Sequence, residues 1–290
     1  MKEPFSLDML TSSTYLTFME SALPIRALAP FRNIGVSAKG TWLGKRATWA
    51  GGYFLNTGSY SYVGEAQDQL SEANGSDLVS CITGVPLYES DGKKLVHLGL
   101  SYLHRFRDDN VENPTTQFRT RPESRLTDDR LVSTPLLYDQ GQNLVCLEAA
   151  WMNGPVSIQG EYFHDFVDSA ETFTFKGWYL QGSWVLTGEA RKYRASTGVF
   201  TGITPHEEFN LRQSGWGAWE LALRISEVDL NDTYILGGEE QNITLGLNWY
   251  LRHKIRFMIN YVNVVVEDRA DLLIYESEAD IIMSRTQVNF

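Results

Sequence analysis

Side chains that alternate between apolar and polar at every second residue, in one segment after another, most narrow what this chain can fold into. In "RNIGVSAKGTWLGKRATWAGGYFLNTG", Ile34, Val36, Ala38, Gly40 and Trp42 fall on one face, with Asn33, Ser37, Lys39 and Thr41 on the other. After a short turn at Leu43 to Lys45, Ala47, Trp49, Tyr53 and Leu55 oppose Arg46, Thr48 and Asn56, which describes a hairpin with one apolar and one polar face. The same period governs "KKLVHLGLSYLHRFR", "NLVCLEAAWMNGPVSIQGEYF" and "FKGWYLQGSWVL". Near the end, Ile243, Leu245, Leu247 and Trp249 alternate with Asn242, Thr244 and Asn248, and Ile255, Phe257, Ile259 and Tyr261 alternate with Lys254, Arg256 and Asn260.

This reading predicts about eleven strands, near residues 31–43, 46–57, 77–88, 94–106, 143–153, 155–167, 173–187, 215–229, 239–250, 254–266 and 279–290. The expected connections alternate in length. Those at 43–45, 89–93 and 153–154 are tight, whereas 58–76, 107–142 and 267–278 are long, as in a barrel with short turns on one rim and long loops on the other. The stretch 188–214 breaks that rule, because strand parity puts it on the short-turn rim. Two all-β architectures satisfy the pattern: a soluble sandwich with its apolar faces turned inward, and a transmembrane β-barrel with them turned outward.

Composition removes other classes. A net charge of −11 argues against a nucleic-acid partner, which calls for a basic face. No run approaches the roughly 18 apolar residues of a membrane helix, and mean hydropathy is negative, but a strand apolar only on alternate positions is compatible with both facts. Cys81 and Cys146 lie in separate apolar stretches without metal-type spacing and are expected as free thiols, with no metal or cofactor assigned. The five histidines are dispersed and no hydrolase, phosphate-loop or zinc motif occurs, so an enzyme is not expected. His97 and Ser101 share a strand face, yet four extended residues set them about 13 Å apart.

The segments "KEPFSLDMLTSSTYLTFMESALPIRALAPFRNIGV", "FRTRPESRL", "LEAAWMNGPVSIQGEY" and "GWGAWELALRIS", together with the final Phe290, resemble the phosphate-selective porin O and P family. The resemblance covers essentially the whole chain. It implies an antiparallel transmembrane β-barrel of sixteen strands, about eleven of them here, usually trimeric and located in the bacterial outer membrane. Residues 1–290 would then be one barrel domain, the C-terminal two-thirds of a family member, with a signal peptide and about five strands absent. The start "MKEPFSLDML" contains no signal peptide. Phe290 would serve as the signal read by the outer-membrane assembly machinery. The outer surface would meet lipid and lipopolysaccharide.

The resemblance also implies passive diffusion of phosphate, polyphosphate and other inorganic anions, and it assigns residues 1–30 and 107–142 as loops folded inward to constrict the bore. Arginine suits such a site, because its planar fork can hold two oxygens of one phosphate and remains charged. The candidates are Arg119, Arg121 and Arg125 of "QFRTRPESRL", with hydroxyl donors from Thr11, Ser12 and Ser13. For the latter three, the alternative is a "TSS" helix cap. Lys39, Arg46, Arg105, Arg224, Lys254 and Arg256 are expected to line the lumen, either facing the anion or paired with acids such as Glu148, Glu161 and Glu220. In the irregular connection, Arg191, Lys192 and Arg194 are expected to enter the pore. A general porin without phosphate preference and a soluble binding sandwich remain open.

Overall fold

The computed structural model describes residues 1–55, 70–71, 75–107, 114–212, 215–269 and 274–289. Eleven antiparallel strands form one continuous sheet in simple sequential order. They are β1 (Ile34–Trp42), β2 (Ala47–Leu55), β3 (Gly75–Glu89), β4 (Lys94–Arg107), β5 (Gly141–Asn153), β6 (Val156–Asp168), β7 (Thr172–Val185), β8 (Ala218–Asp232), β9 (Ile235–Arg252), β10 (Ile255–Arg269) and β11 (Ile274–Val288). All eleven coincide with strands expected from alternation. β1 and β11 are the outermost members and do not pair with each other.

Burial is inverted relative to a soluble sandwich. Leu98 is 51% exposed and Leu245 50%, whereas His97, Asn248 and Ser226 are fully buried and Arg224 is 2% exposed. The apolar face of the strands therefore looks outward and the polar face inward. Cross-strand rungs such as Leu221–Leu247–Ile259 and Ile225–Ile243 carry the apolar band from strand to strand. On β8 the outward side chains run from Trp219 through Leu221, Leu223 and Ile225 to Glu227, a span of eight residues or about 27 Å of extended chain. That is close to the roughly 25 Å apolar band of an outer-membrane barrel.

Aromatic residues mark the limits of the band. Trp42, Trp49, Trp151, Trp184, Trp219 and Trp249 all stand near strand ends on the tight-turn rim, and Trp219 stacks on Trp249 with centroids 5.1 Å apart. Tyr53, Tyr102, Tyr162 and Tyr261 stand toward the other rim. Amphipathic rings at both interfaces are the pattern lipid imposes.

Two expected connections are corrected. The stretch 230–238 is a hairpin turning at Thr233-Tyr234, and the long connection at 267–278 shortens to residues 270–273, which lie outside the described residues, as does Phe290. The cause is common to both. Polar and acidic residues, Asn231 and Asp232 on β8 and Glu276 and Glu278 on β11, read as loop, but they extend the strands beyond the apolar band, where an outer face can be polar.

Three irregular segments pack on the concave inner face. The first, residues 1–31, contains the short helices α1 (Leu7–Leu10) and α2 (Leu23–Ala27). Phe5, Leu23, Ile25 and Leu28 are buried with inward wall residues such as Phe163, Phe175, Val228 and Met258. Glycines make room for this segment: a Cβ on Gly177 would stand 2.8 Å from Pro24 Cβ, and one on Gly246 3.0 Å from Phe18. The second, from 114 to 140, buries Phe118 against Phe175 with centroids 5.0 Å apart. The third, from 186 to 212, places Tyr193 and Phe200 in a cluster with Leu7, Leu95 and Met152.

If the outward face meets hydrocarbon, Leu245→Arg destabilises the folded protein in bilayers by about 2–4 kcal/mol, whereas outward Gln241→Arg near the rim changes it by about 0–1 kcal/mol. Equilibrium unfolding from lipid vesicles measures both.

Candidate functional site

The stretch from Thr11 to Ser21 has little regular structure, so its carbonyls need donors from elsewhere. The wall supplies them. Gln287 Nε2 donates to Thr14 O (3.1 Å), Arg256 Nη1 to Leu16 O (2.8 Å), Asn248 Nδ2 to Thr17 O (2.8 Å), Arg285 Nη2 to Met19 O (2.9 Å) and Arg224 Nη1 to Glu20 O (3.0 Å). Four strands, β8 to β11, thus hold one irregular ribbon.

The second inward segment is fastened by Glu123, a non-glycine residue with φ of 50°. Its carboxylate accepts from Ser226 Oγ (2.6 Å), Thr244 Oγ1 (2.7 Å) and the Arg224 guanidinium. The acid that sits among Arg119, Arg121 and Arg125 in sequence therefore serves as an anchor to the wall.

The cations expected to line the lumen divide into two groups, and Arg46 and Lys254, at turns beyond the strand ladder, are corrected as lumen residues. Arg105 grips Asp77 through Nε (2.8 Å) and Nη2 (2.9 Å), with Nη1 on Gln142 Oε1 at 2.7 Å, and both forks of Arg224 and Nη1 and Nη2 of Arg256 are likewise engaged. Arg105 and Arg224 take the ion-paired option of the two the sequence left open, while Arg256 bonds to a backbone carbonyl, Tyr250 and Gln287. Lys39 is exposed on β1, while Arg46 and Lys254 lie in exposed turns. Arg191 is buried with its guanidinium 4.4 Å from the Phe200 ring centroid, Lys192 reaches Thr204, and Arg194 is exposed.

The arginine trio does not form one site. Arg119 belongs to a two-residue strand paired with Val132–Ser133, and Arg121 is buried and bridged to Asp128 at 2.9 Å. Arg125 alone enters a cavity of about 550 Å³ together with Thr11, Ser12 and Ser13. The same cavity gathers Lys2, Arg26, Arg32 and Arg285, so that five cations and two acids, Asp8 and Glu20, line it. At about 30 Å³ per water it has room for roughly eighteen waters, enough for an ion to keep part of its hydration.

Thr11 caps the end of α1 by donating to Leu7 O at 2.8 Å, Ser12 is exposed and bonded to Thr14, and Ser13 is exposed. The helix precedes "TSS" and is capped at its start by Ser6, which corrects the expectation of a cap leading into a helix. Glu20 bridges Arg26 (2.9 Å) and Arg125 (3.0 Å). Arg285 keeps Nε without a hydrogen-bond partner among the described residues. Lys2 donates to Met9 O and Thr11 O, and burial together with the nearby Arg32 guanidinium pushes its ammonium below the ordinary value. Burial pushes the Asp8 carboxyl upward. Lys2, Arg26, Arg32 and Arg285 were not singled out from sequence. Arg285 carried the one available signal, its place on the polar face of the last strand.

Glu3, beside this cavity, is fully buried and accepts from Asn33 Nδ2 at 2.7 Å. Burial and the Asp77 carboxylate push its carboxyl from an ordinary 4.5 to about 7, outweighing the Asn33 hydrogen bond. A folded-state value raised in this way means that Glu3 binds more protons in the folded protein than in the unfolded chain between those limits, so its contribution to stability is fullest below about pH 4.5 and is lost as pH rises to about 7. The thermal midpoint in detergent should fall across that window, and Glu3→Gln should flatten the fall. Arg224→Met, which strands Glu123 without its cation, should destabilise by about 3–5 kcal/mol in denaturant unfolding.

Comparison with known proteins bears on this arrangement. A family model described as phosphate-selective porin O and P matches residues 1–290. An uncharacterized protein of Caulobacter vibrioides is 31% identical over 265 residues, covering 89% of this chain and 51% of its own length. Porin O of Pseudomonas aeruginosa is 23% identical over 295 residues, covering 89% of this chain and 62% of its own. The chain thus spans about half to three-fifths of the length of these relatives.

Proposed function

This chain belongs to the phosphate-selective porin O and P family, channel proteins of the bacterial outer membrane, and from that premise we propose that it forms wall and constriction of a porin admitting inorganic anions, phosphate among them, by passive diffusion. The observation that carries the proposal is the cavity where Arg125, Arg285, Arg32, Arg26 and Lys2 converge with the hydroxyls of Thr11, Ser12 and Ser13 on the inner face of an inside-out sheet. Residues 1–30 and 107–142 are its constriction segments. Positive potential draws the anion in, guanidinium forks and hydroxyls replace the hydration it sheds, and the remaining water keeps the binding weak enough to release it. Homotrimer assembly and reading of Phe290 by the assembly machinery are part of the same proposal and rest on the family alone.

A general porin without phosphate preference is the second reading. It is favoured by the engagement of Arg105, Arg121 and Arg224 in ion pairs that leave the net charge of −11 uncompensated elsewhere. Single-channel currents in planar bilayers separate the two. Phosphate should block chloride current, and Arg285→Gln and Arg125→Gln should each weaken that block about tenfold, the loss of one charge-assisted hydrogen bond. Chloride currents indifferent to phosphate in the unsubstituted protein would leave the general porin.

A further inference from the structure

On the inner face of β5 and β6, next to the N-terminal segment that lines the anion cavity, three ligating side chains are sealed together. Cys146 and Glu148 are two residues apart on β5 and so share a face, and Glu161 is the cross-strand partner of Glu148. The Cys146 sulfur and a carboxylate oxygen of each glutamate lie within 4.8 Å of one another, and all three residues are buried. Neither carboxylate makes an ion pair with Lys or Arg among the described residues. Two carboxylates confined in this way repel each other unless a proton or a cation stands between them.

The surroundings engage both oxygens of Glu161 and one of Glu148. Glu148 Oε1 meets His97 Nε2 at 3.0 Å, and His97 is itself fixed through Nδ1 by the Tyr193 hydroxyl at 2.6 Å. Glu148 Oε2 is shut from solvent with no hydrogen-bond partner. Glu161 Oε1 accepts from Asp8 N and the Tyr179 hydroxyl, both at 2.7 Å, while Oε2 accepts from the Cys146 thiol at 3.5 Å. A tetrahedral Zn²⁺ with Zn–S of about 2.3 Å and Zn–O of about 2.0 Å sets its sulfur and oxygen ligands about 3.5 Å apart. Glu148 also lines a second cavity, of about 620 Å³, which offers a route in.

We propose that Cys146, Glu148 and Glu161 bind a borderline divalent cation of the Zn²⁺ type, with His97 and Tyr179 as positioning residues and the fourth ligand position open to water from the adjoining cavity. One thiolate and two carboxylates favour such an ion over Mg²⁺ or Ca²⁺, which take oxygen ligands only. Binding converts the Cys146 thiol to a thiolate and releases its proton to solvent, so affinity falls at low pH. Because Glu161 also holds the first turn of α1, the ion would brace the N-terminal segment against the wall. The spacing rules that exclude a metal motif in the sequence do not reach this set, since its third member comes from the neighbouring strand.

The test uses the detergent-solubilised protein and Co²⁺ as the probe. One equivalent of Co²⁺ should produce thiolate-to-cobalt absorption in the near ultraviolet, Zn²⁺ should abolish it, and Mg²⁺ should leave it unchanged. Cys81→Ser should retain the band, and Cys146→Ser should lose it. Glu148→Gln, which keeps the side-chain shape, should weaken binding at least tenfold, and His97→Gln about tenfold or more. Absence of the band in the unsubstituted protein overturns the proposal and leaves a shared proton between the carboxyls as the account of the cluster. Loss of the band in Cys81→Ser alone, or unchanged affinity in Glu148→Gln, also overturns it. Anion currents are not part of the readout, so failure here leaves the channel reading untouched.

Discussion

Turning the apolar side chains outward obliges the inner face to satisfy itself, and every contact inside the sheet answers to that inversion. A buried ion gives up several kcal/mol of hydration unless partners replace it. Arg105 obtains Asp77, Arg224 obtains Glu123, and Arg256 obtains a carbonyl and Gln287. The need is reciprocal. The ribbon from Thr14 to Glu20 has carbonyls without a ladder, and irregular backbone at membrane depth is tolerated only where protein or water completes its hydrogen bonds. Wall cations and loop carbonyls therefore stabilise each other.

This mutual satisfaction divides the cations by role. A guanidinium with its terminal nitrogens engaged can hold structure but has little left for a passing ion. Arg105, Arg224 and Arg256, all buried, belong to that class. Two cations around the first cavity differ in exposure: Arg32 is exposed and Arg125 is half-exposed. Arg224, its guanidinium 4.4 Å from the Phe18 ring centroid, is sealed and paired, whereas Arg125 at the cavity is paired yet remains partly open to water.

Alternation made the wall legible in the sequence because one face of each strand meets a single medium along its whole apolar band. Legibility failed where the medium changes. Glu276 and Glu278 lie past the band, so an acidic outer face looked like a loop although the ladder to β10 continues through them. The interior was much less legible. Glu123 meets Arg224, Ser226 and Thr244 across about a hundred residues or more, and no local spacing encodes that meeting. Arg119, Arg121 and Arg125 looked like a cluster because they are close in sequence, but the fold sends Arg121 to Asp128 and Arg125 to Glu20. Ser12 and Ser13 were legible as cavity residues through family resemblance, not through their own pattern.

The acid within the first cavity bears directly on how an anion could pass. Glu20 holds Arg26 and Arg125 at hydrogen-bond distance, occupying the same forks an oxyanion would use. On the proposed reading, an entering phosphate does not meet bare charge; it exchanges with a tethered carboxylate that returns when the phosphate leaves. Exchange of one anion for another leaves a smaller net gain than filling an empty cationic site, since the guanidinium is never uncompensated in either state. Conduction requires that kind of shallow well, attractive enough to enter and weak enough to leave. An acid beside the arginines is therefore compatible with anion transport, and its tether on the N-terminal segment makes that segment part of the exchange.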